Sequence, residues 1–161
     1  MQNKEHLPVL GVGPIYVTII LVMTITGIIL DFFGFLDSGK FYLFKIPFTI
    51  IGFIFIIEGI IIWSMATFNS KLVNNVKNNN LITTGIYAYV RNPIYSAFLF
   101  LFSGLLMFTC NLWLFILPFI YWGLLTVLMK RTEEKWLKER YGKEYTDYSN
   151  KVNRAIPWFK K

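Results

Sequence analysis

Residues 94–129 read IYSAFLFLFSGLLMFTCNLWLFILPFIYWGLLTVLM, thirty-six positions without a charged side chain. Thr109, Cys110 and Asn111 divide this stretch into two apolar runs, 94–108 and 112–129. A bilayer crossing needs about 20 apolar residues in a helix, so the stretch predicts a helical hairpin within the membrane, closed by a tight uncharged turn. Its first arm is short for a full crossing and must tilt or stop short of one face.

Two further apolar runs lie upstream. The first covers 9–30, and its core 15–30 carries no charge. It exceeds the apolar core of about 7 to 15 residues typical of a secretory leader and lacks a small-residue cleavage site, which predicts an uncleaved span. The second covers 41–68 and is interrupted by Lys45, Pro47 and Glu58. Lys45 lies near one end and can snorkel. Glu58 sits about ten residues from the far end, roughly 15 Å at helical rise. An intramembrane carboxyl is a functional candidate; the alternative is a hydrogen-bonded group packed against another helix, and Glu58 is left outside the site. Between the two pairs of runs, 69–80 is polar and asparagine-rich, which predicts a loop.

The bulk composition agrees with a membrane protein. Hydrophobic residues make up 55% of the 161-residue chain against 16% charged, and the mean hydropathy is +0.52, too apolar for a soluble domain of this length. One cysteine, Cys110, excludes an intramolecular disulfide, and with His6 as the one histidine no His/Cys metal site can form. The net charge of +7 is concentrated rather than spread: ten of the 16 Lys and Arg residues fall in 130–161, beside five of the nine acidic ones. Directly after an apolar hairpin, such a segment predicts a juxtamembrane surface facing anionic headgroups rather than a nucleic-acid site.

The positive-inside rule orients the spans. With both termini cytosolic, fourteen basic residues lie inside, including Lys4, Lys71, Lys77 and Arg91, against Lys40 and Lys45 outside. The predicted fold is therefore all-α and polytopic, a single membrane domain over 1–161. It has four transmembrane helices, at about 9–31, 41–68, 94–108 and 112–130, in a bacterial cell membrane or an equivalent endomembrane. Beyond Met129, Glu133, Leu137 and Tyr141 recur at four-residue spacing, so the fourth helix is expected to continue into the cytosol and end at Gly142. A tail follows it.

Two polar clusters flank the hairpin. In LITTGIYAYVRNPIY, residues 81–95, Gly85 permits close backbone approach, Pro93 suits a helix start, and Arg91 can grip a carboxylate with two prongs. A plain loop-to-helix junction with Arg91 on headgroups explains the same residues. In the second cluster, from Arg131 to Gly142, the neighbours Glu133 and Glu134 point about 100° apart on a helix and do not form an acid/base couple. Lys138 stands four residues after Glu134, as an i,i+4 partner on a solvated face would.

Taken together and in order, Thr83, Gly85, Tyr87, Arg91, Pro93 and Tyr95, then the hairpin, then Glu133, Glu134, Leu137, Tyr141, Gly142, Tyr145, Tyr148 and Val152 resemble the isoprenylcysteine carboxyl methyltransferases and, more broadly, the membrane phospholipid methyltransferases. Arg154 and Pro157 complete the pattern, which covers 81–158. The resemblance implies an S-adenosylmethionine pocket on the cytosolic side, with Gly85, Ile86, Tyr87, Arg91, Asn92 and Tyr95 against the cofactor and Glu133 or Glu134 on its amine or ribose hydroxyls. It also implies a lipid or lipid-modified acceptor that enters sideways between spans. For a carboxylate acceptor the orienting cation is Arg154, with Arg91 as the other possibility. The family's Arg-His-Pro is Arg91-Asn92-Pro93 here, and an asparagine amide can bind but cannot titrate. Methyl transfer of this kind needs no metal. The competing readings are an NADPH-dependent membrane reductase of the sterol-reductase type, for which no separate basic cluster marks a nucleotide phosphate, and a non-catalytic membrane scaffold.

Overall fold

The computed structural model describes residues 11–68 and 80–157. Lys4, His6, the first residues of the N-terminal run, Lys71, Lys77 and Trp158 lie outside the described residues. All regular structure in the described residues is helical. The long helices are α1 (Gly13–Phe32), α2 (Lys45–Phe68), α3 (Pro93–Met107) and α4 (Leu117–Arg131). Two short ones follow, α5 (Glu133–Tyr141) and α6 (Lys143–Lys151). Each long helix carries a proline in its first turn, Pro14, Pro47, Pro93 and Pro118. There the missing N–H has no intrahelical partner to lose, and the ring presets the helical φ.

Three stretches are long and apolar enough to cross a bilayer: Gly13–Phe32, Tyr42–Phe68 and Leu114–Tyr141. The third apolar helix, α3, has 15 residues, roughly 22 Å at helical rise and short of a hydrocarbon core of about 30 Å. The expected tight turn at Thr109 to Asn111 is wider, because Cys110 adopts a left-handed φ of +48° and a further single turn, Leu114–Ile116, precedes α4. Nor does α4 run on unbroken. Thr132 leaves helical geometry at φ −125° and ψ −89°, with its hydroxyl donating to Leu128 O at 2.6 Å, so α5 starts afresh at Glu133. Gly142, at φ +53°, ends α5 as expected.

The short helix α3 sits at the centre and contacts α1, α2 and α4. Toward α2 the contact is made of small residues seven apart on antiparallel helices. A Cβ on Gly104 would lie 2.7 Å from Gly52 O, and one on Gly59 would lie 2.8 Å from Ala97 O. Backbones can approach this closely only without side chains between them, and in lipid such contact replaces the hydrophobic drive that joins helices in water. On its other side α3 packs Leu99 and Leu106 into a core with Tyr16, Ile20, Tyr121, Leu125 and Met129. Within that core the Thr24 and Tyr121 hydroxyls bond each other at 2.8 Å.

The outward faces are apolar: Ile15, Val22, Ile50, Phe53, Ile57, Phe119 and Trp122 are all exposed. An aqueous solvent would not tolerate that collar, and a bilayer covers it. Glu58 also lies on an exposed part of α2, so it is not buried against another helix among the described residues. One end of the bundle is closed by polar contacts. Buried Asn111 donates to Asp31 Oδ1 at 2.7 Å and to Leu36 O at 2.8 Å. Lys40 pairs with Asp37 at 2.8 Å and with Asp31 at 3.9 Å. Phe41 meets Phe48 and Phe115 edge to face, and Phe48 and Phe115 lie tilted with centroids 4.8 Å apart.

Candidate functional site

At the opposite end, the segment entering α3 and the chain leaving α4 meet. A single helical turn, Gly85–Ala88, seats Ile86 in an apolar cluster with Ile62, Ala66, Val90 and Ala97. Val90 then pairs with Asn153 in a parallel bridge, and Arg91 N–H donates to Asn153 O at 2.8 Å. Next, Asn92 caps α3: its carbonyl accepts from Ser96 N–H and Ser96 Oγ, both at 3.0 Å, and its amide donates to Arg154 O at 3.0 Å. The asparagine in the histidine position therefore ties the two clusters together through the backbone.

Those ties bring Arg91 and Arg154 onto one carboxylate. Glu134 receives Arg91 Nη2 at 3.2 Å, and Arg154 grips it with two prongs, Nε on Oε1 and Nη2 on Oε2, the latter at 3.1 Å. The side chains of Arg91 and Glu134 are each 8% exposed, so this is a buried charge cluster rather than a surface pair. Arg91 also donates from Nη1 to Tyr145 OH at 3.2 Å and lies 5.9 Å above that ring's centroid, an attraction between cation and aromatic face. One donor is left over: Arg91 Nε is buried and has no partner among the described residues. A buried unsatisfied N–H on a charged group is costly and is what a ligand oxygen would relieve.

The adjacent carboxylate does something else. Glu133 Oε1 accepts from Tyr95 OH at 2.7 Å and from Val12 N–H at 2.8 Å, which fastens the start of α1 to the site. Gly11 makes this possible: its φ is +50° and any Cβ there would fall on the Glu133 carboxylate. The two glutamates thus point to different partners, as their helical spacing requires. Glu134 is ion-paired with Arg91 and Arg154, so the alternative of a solvated i,i+4 pair with Lys138 does not describe it.

Tyrosines complete the wall. Tyr148 OH donates to Tyr87 O at 2.7 Å, joining α6 to the Gly85–Ala88 turn, and Tyr145, Tyr148 and Val152 form a small core against Leu81, Leu137 and Tyr141. Burial pushes the Tyr87 hydroxyl up to about 12 and raises those of Tyr145 and Tyr148. All three are neutral hydrogen-bonding groups at physiological pH.

A cleft of about 490 Å³ opens beside the cluster, lined by Arg91, Glu134 and Arg154 together with Lys130, Lys135, Lys138, Ser149 and Asn150. Of the residues singled out from sequence, Arg91, Glu134 and Arg154 line it. Gly85, Ile86, Tyr87, Asn92, Tyr95 and Glu133 are not among the residues that line it, and Ile86 is core. The lysines were not among the sequence candidates for the site, although the basic segment after Met129 pointed to a surface facing anionic headgroups; the fold gathers them from α4 and α5. Tyr145 and Tyr148 belong to the family pattern, but nothing in it marks them as partners of Arg91 and the Tyr87 carbonyl. Among the described residues no three His, Cys, Asp or Glu side chains converge as metal ligands.

The family model for phospholipid methyltransferases matches residues 42–144. Among curated proteins, the chain is 35% identical over 92 residues to the protein-S-isoprenylcysteine O-methyltransferase of Saccharomyces cerevisiae, covering 55% of this chain and 38% of that protein. It is 26% identical over 87 residues to protein-S-isoprenylcysteine O-methyltransferase B of Arabidopsis thaliana, covering 53% and 44%. A probable protein-S-isoprenylcysteine O-methyltransferase of Oryza sativa subsp. indica is 32% identical over 81 residues, covering 50% and 42%. The chain thus spans about two fifths of the length of these relatives. No solved structure matches it. The matched segment runs from the start of the second apolar stretch through the Arg91 and Glu134 walls of the cleft and takes in well over half of the chain, which is a membrane protein of the phospholipid methyltransferase family.

Proposed function

We propose that this chain transfers a methyl group from S-adenosylmethionine to a carboxylate on a lipophilic acceptor at the cytosolic membrane face. The single domain crosses the membrane four times with both termini inside, and the half from 81 to 158 holds the cofactor. What carries the proposal is the Arg91–Glu134–Arg154 cluster: two guanidinium groups share one buried carboxylate, leaving one positive charge and an orphaned N–H beside an open cleft.

These residues suit the cofactor. Arg91 Nε–H can donate to a carboxylate oxygen of the cofactor. Glu133 Oε1 takes two donors, so that carboxylate holds the start of α1 and Tyr95 beside the Arg91–Glu134–Arg154 cluster. Gly85, Tyr87, Asn92 and Tyr95 shape the backing wall, and Glu134 holds the two arginines at a fixed separation. When bound, the cofactor supplies a sulfonium-activated methyl group. The protein's part is to hold donor and acceptor in line and dry, where preorganisation contributes several kcal/mol. An acceptor carboxylate, with an ordinary pKa of about 4, is already ionised and needs no general base. Arg154 orients it and Arg91 is its second contact; the incoming charge neutralises the cluster's residual positive one. The acceptor's apolar tail stays in the bilayer and enters between helices, since it gains nothing by crossing water.

Purified protein in lipid nanodiscs, given membrane extract and S-adenosylmethionine labelled in the methyl group, should place label in a lipid fraction that base treatment releases. Label that resists base would replace O-methylation by N- or S-methylation. Saturable binding of NADPH with none of S-adenosylhomocysteine would overturn the reading in favour of a reductase, and absence of either would favour a scaffold.

A further inference from the structure

We propose that the rim of the cleft, Lys130, Lys135 and Lys138, is a phosphate site that holds the headgroup of an anionic membrane lipid, independently of the methyl acceptor. The location is that of headgroups: Lys130 is in the last turn of α4, and Arg91 is two residues ahead of the first residue of α3, so the cleft opens where two apolar helices end. Its charge is lopsided. Five cations and one carboxylate line it, and the carboxylate is already taken by Arg91 and Arg154. The three lysines are exposed and make no ion pair with a described residue. Lys40, at the far end of the bundle, has two carboxylates within 4 Å.

Geometry adds to charge. Lys135 and Lys138 are three apart and share a face of α5, while Asn150 and Ser149 close the cleft from the end of α6. The Ser149 hydroxyl is spent on Thr146 O at 2.9 Å, so the Asn150 amide is the polar donor on that side. Ammonium groups act as point charges that suit a phosphate without demanding a planar partner. A cleft of about 490 Å³ falls in the size range of small-molecule sites, roughly 300 to 1,000 Å³, so a phosphate held by the lysines at its rim takes up only part of it.

The test uses the full chain in a zwitterionic detergent without cofactor, titrated with short-chain phosphatidylglycerol, with short-chain phosphatidylcholine, and with inorganic phosphate. Binding is read by native mass spectrometry and thermal shift. Phosphatidylglycerol should bind saturably and more weakly as salt rises, whereas phosphatidylcholine should not saturate. Each rim lysine near a headgroup contributes about fivefold, so K135Q/K138Q should weaken phosphatidylglycerol binding by about 30-fold, with the lipid-free melting temperature unchanged. Equal binding of the two lipids, or an unaltered affinity in the variant, overturns the proposal. Displacement of the lipid by millimolar phosphate would assign the site to the soluble anion instead and overturn the lipid assignment. Since no methyl transfer is measured, failure here leaves the proposed reaction standing, and failure of the reaction leaves this site standing.

Discussion

The two ends of the helical bundle use similar groups to opposite purpose. At one end Asp31, Lys40 and Asn111 satisfy one another, aromatic rings pack against each other, and the one lysine has two carboxylates to pair with. At the other, two arginines share Glu134, one guanidinium donor lacks a partner, and three lysines face a cleft with no carboxylate of their own. Closed polar networks hold elements together, and an unbalanced one is a candidate for holding a ligand. The difference distinguishes a clasp from a site more clearly than residue type does, since both ends contain acids, bases and an asparagine.

Removing the carboxylate at the open end should have the largest effect. Glu134→Ala leaves two largely buried guanidinium groups facing each other, and loss of one partner of a buried pair costs about 3 to 5 kcal/mol. Thermal unfolding in detergent should show that loss, along with lost S-adenosylhomocysteine binding; a variant as stable as the parent would mean that the cluster is wetter than its burial suggests. The matching change at the closed end is Asn111→Ala, which strips donors from Asp31 and the Leu36 carbonyl, at roughly 1 to 3 kcal/mol. Calorimetry of the folded fraction should find cofactor affinity intact, and a parallel loss of affinity would show that the two ends are coupled.

Tyr145→Phe is a milder change, because the ring stays beneath Arg91 while the hydroxyl is removed. One hydrogen bond to a charged group, about 1 to 2 kcal/mol, should be lost, and activity should fall by about tenfold if Arg91 must be held in place; unchanged kcat and KM would reduce Tyr145 to packing. Least of all is expected from Lys40→Met. Its partner Asp37 is largely exposed, and such pairs contribute little, so the melting curve should overlay the parent's, and a clear drop would make the closed end depend on charge rather than on Asn111.

Much of the architecture was legible because hydrophobic transfer adds up along contiguous residues. The four apolar runs became the four long helices, with edges moved by a few positions where Pro14, Pro47, Pro93 and Pro118 fix the first turns. The turn around Cys110 and the break at Thr132 were not legible, since both depend on backbone angles that neighbouring helices impose. The site was half legible: Arg91, Glu134 and Arg154 do converge, and Glu58, left outside it, lies on an exposed part of α2. Glu133 proved to be the anchor of α1 through a backbone N–H, a contact 121 residues distant in the chain that no local pattern signals.

Length, apolar runs and the crowding of basic residues after Met129 determined on their own that this is a helical membrane protein with its polar chemistry near 81–95 and 131–154, because solvation is additive over neighbouring residues. Which partner each charge took was decided only in three dimensions. Glu134 had Lys138 within reach on its own helix but lies against Arg91 and Arg154. A carboxylate taken out of water needs several well-placed donors at once, and only the folded chain could bring them there from both sides of the hairpin.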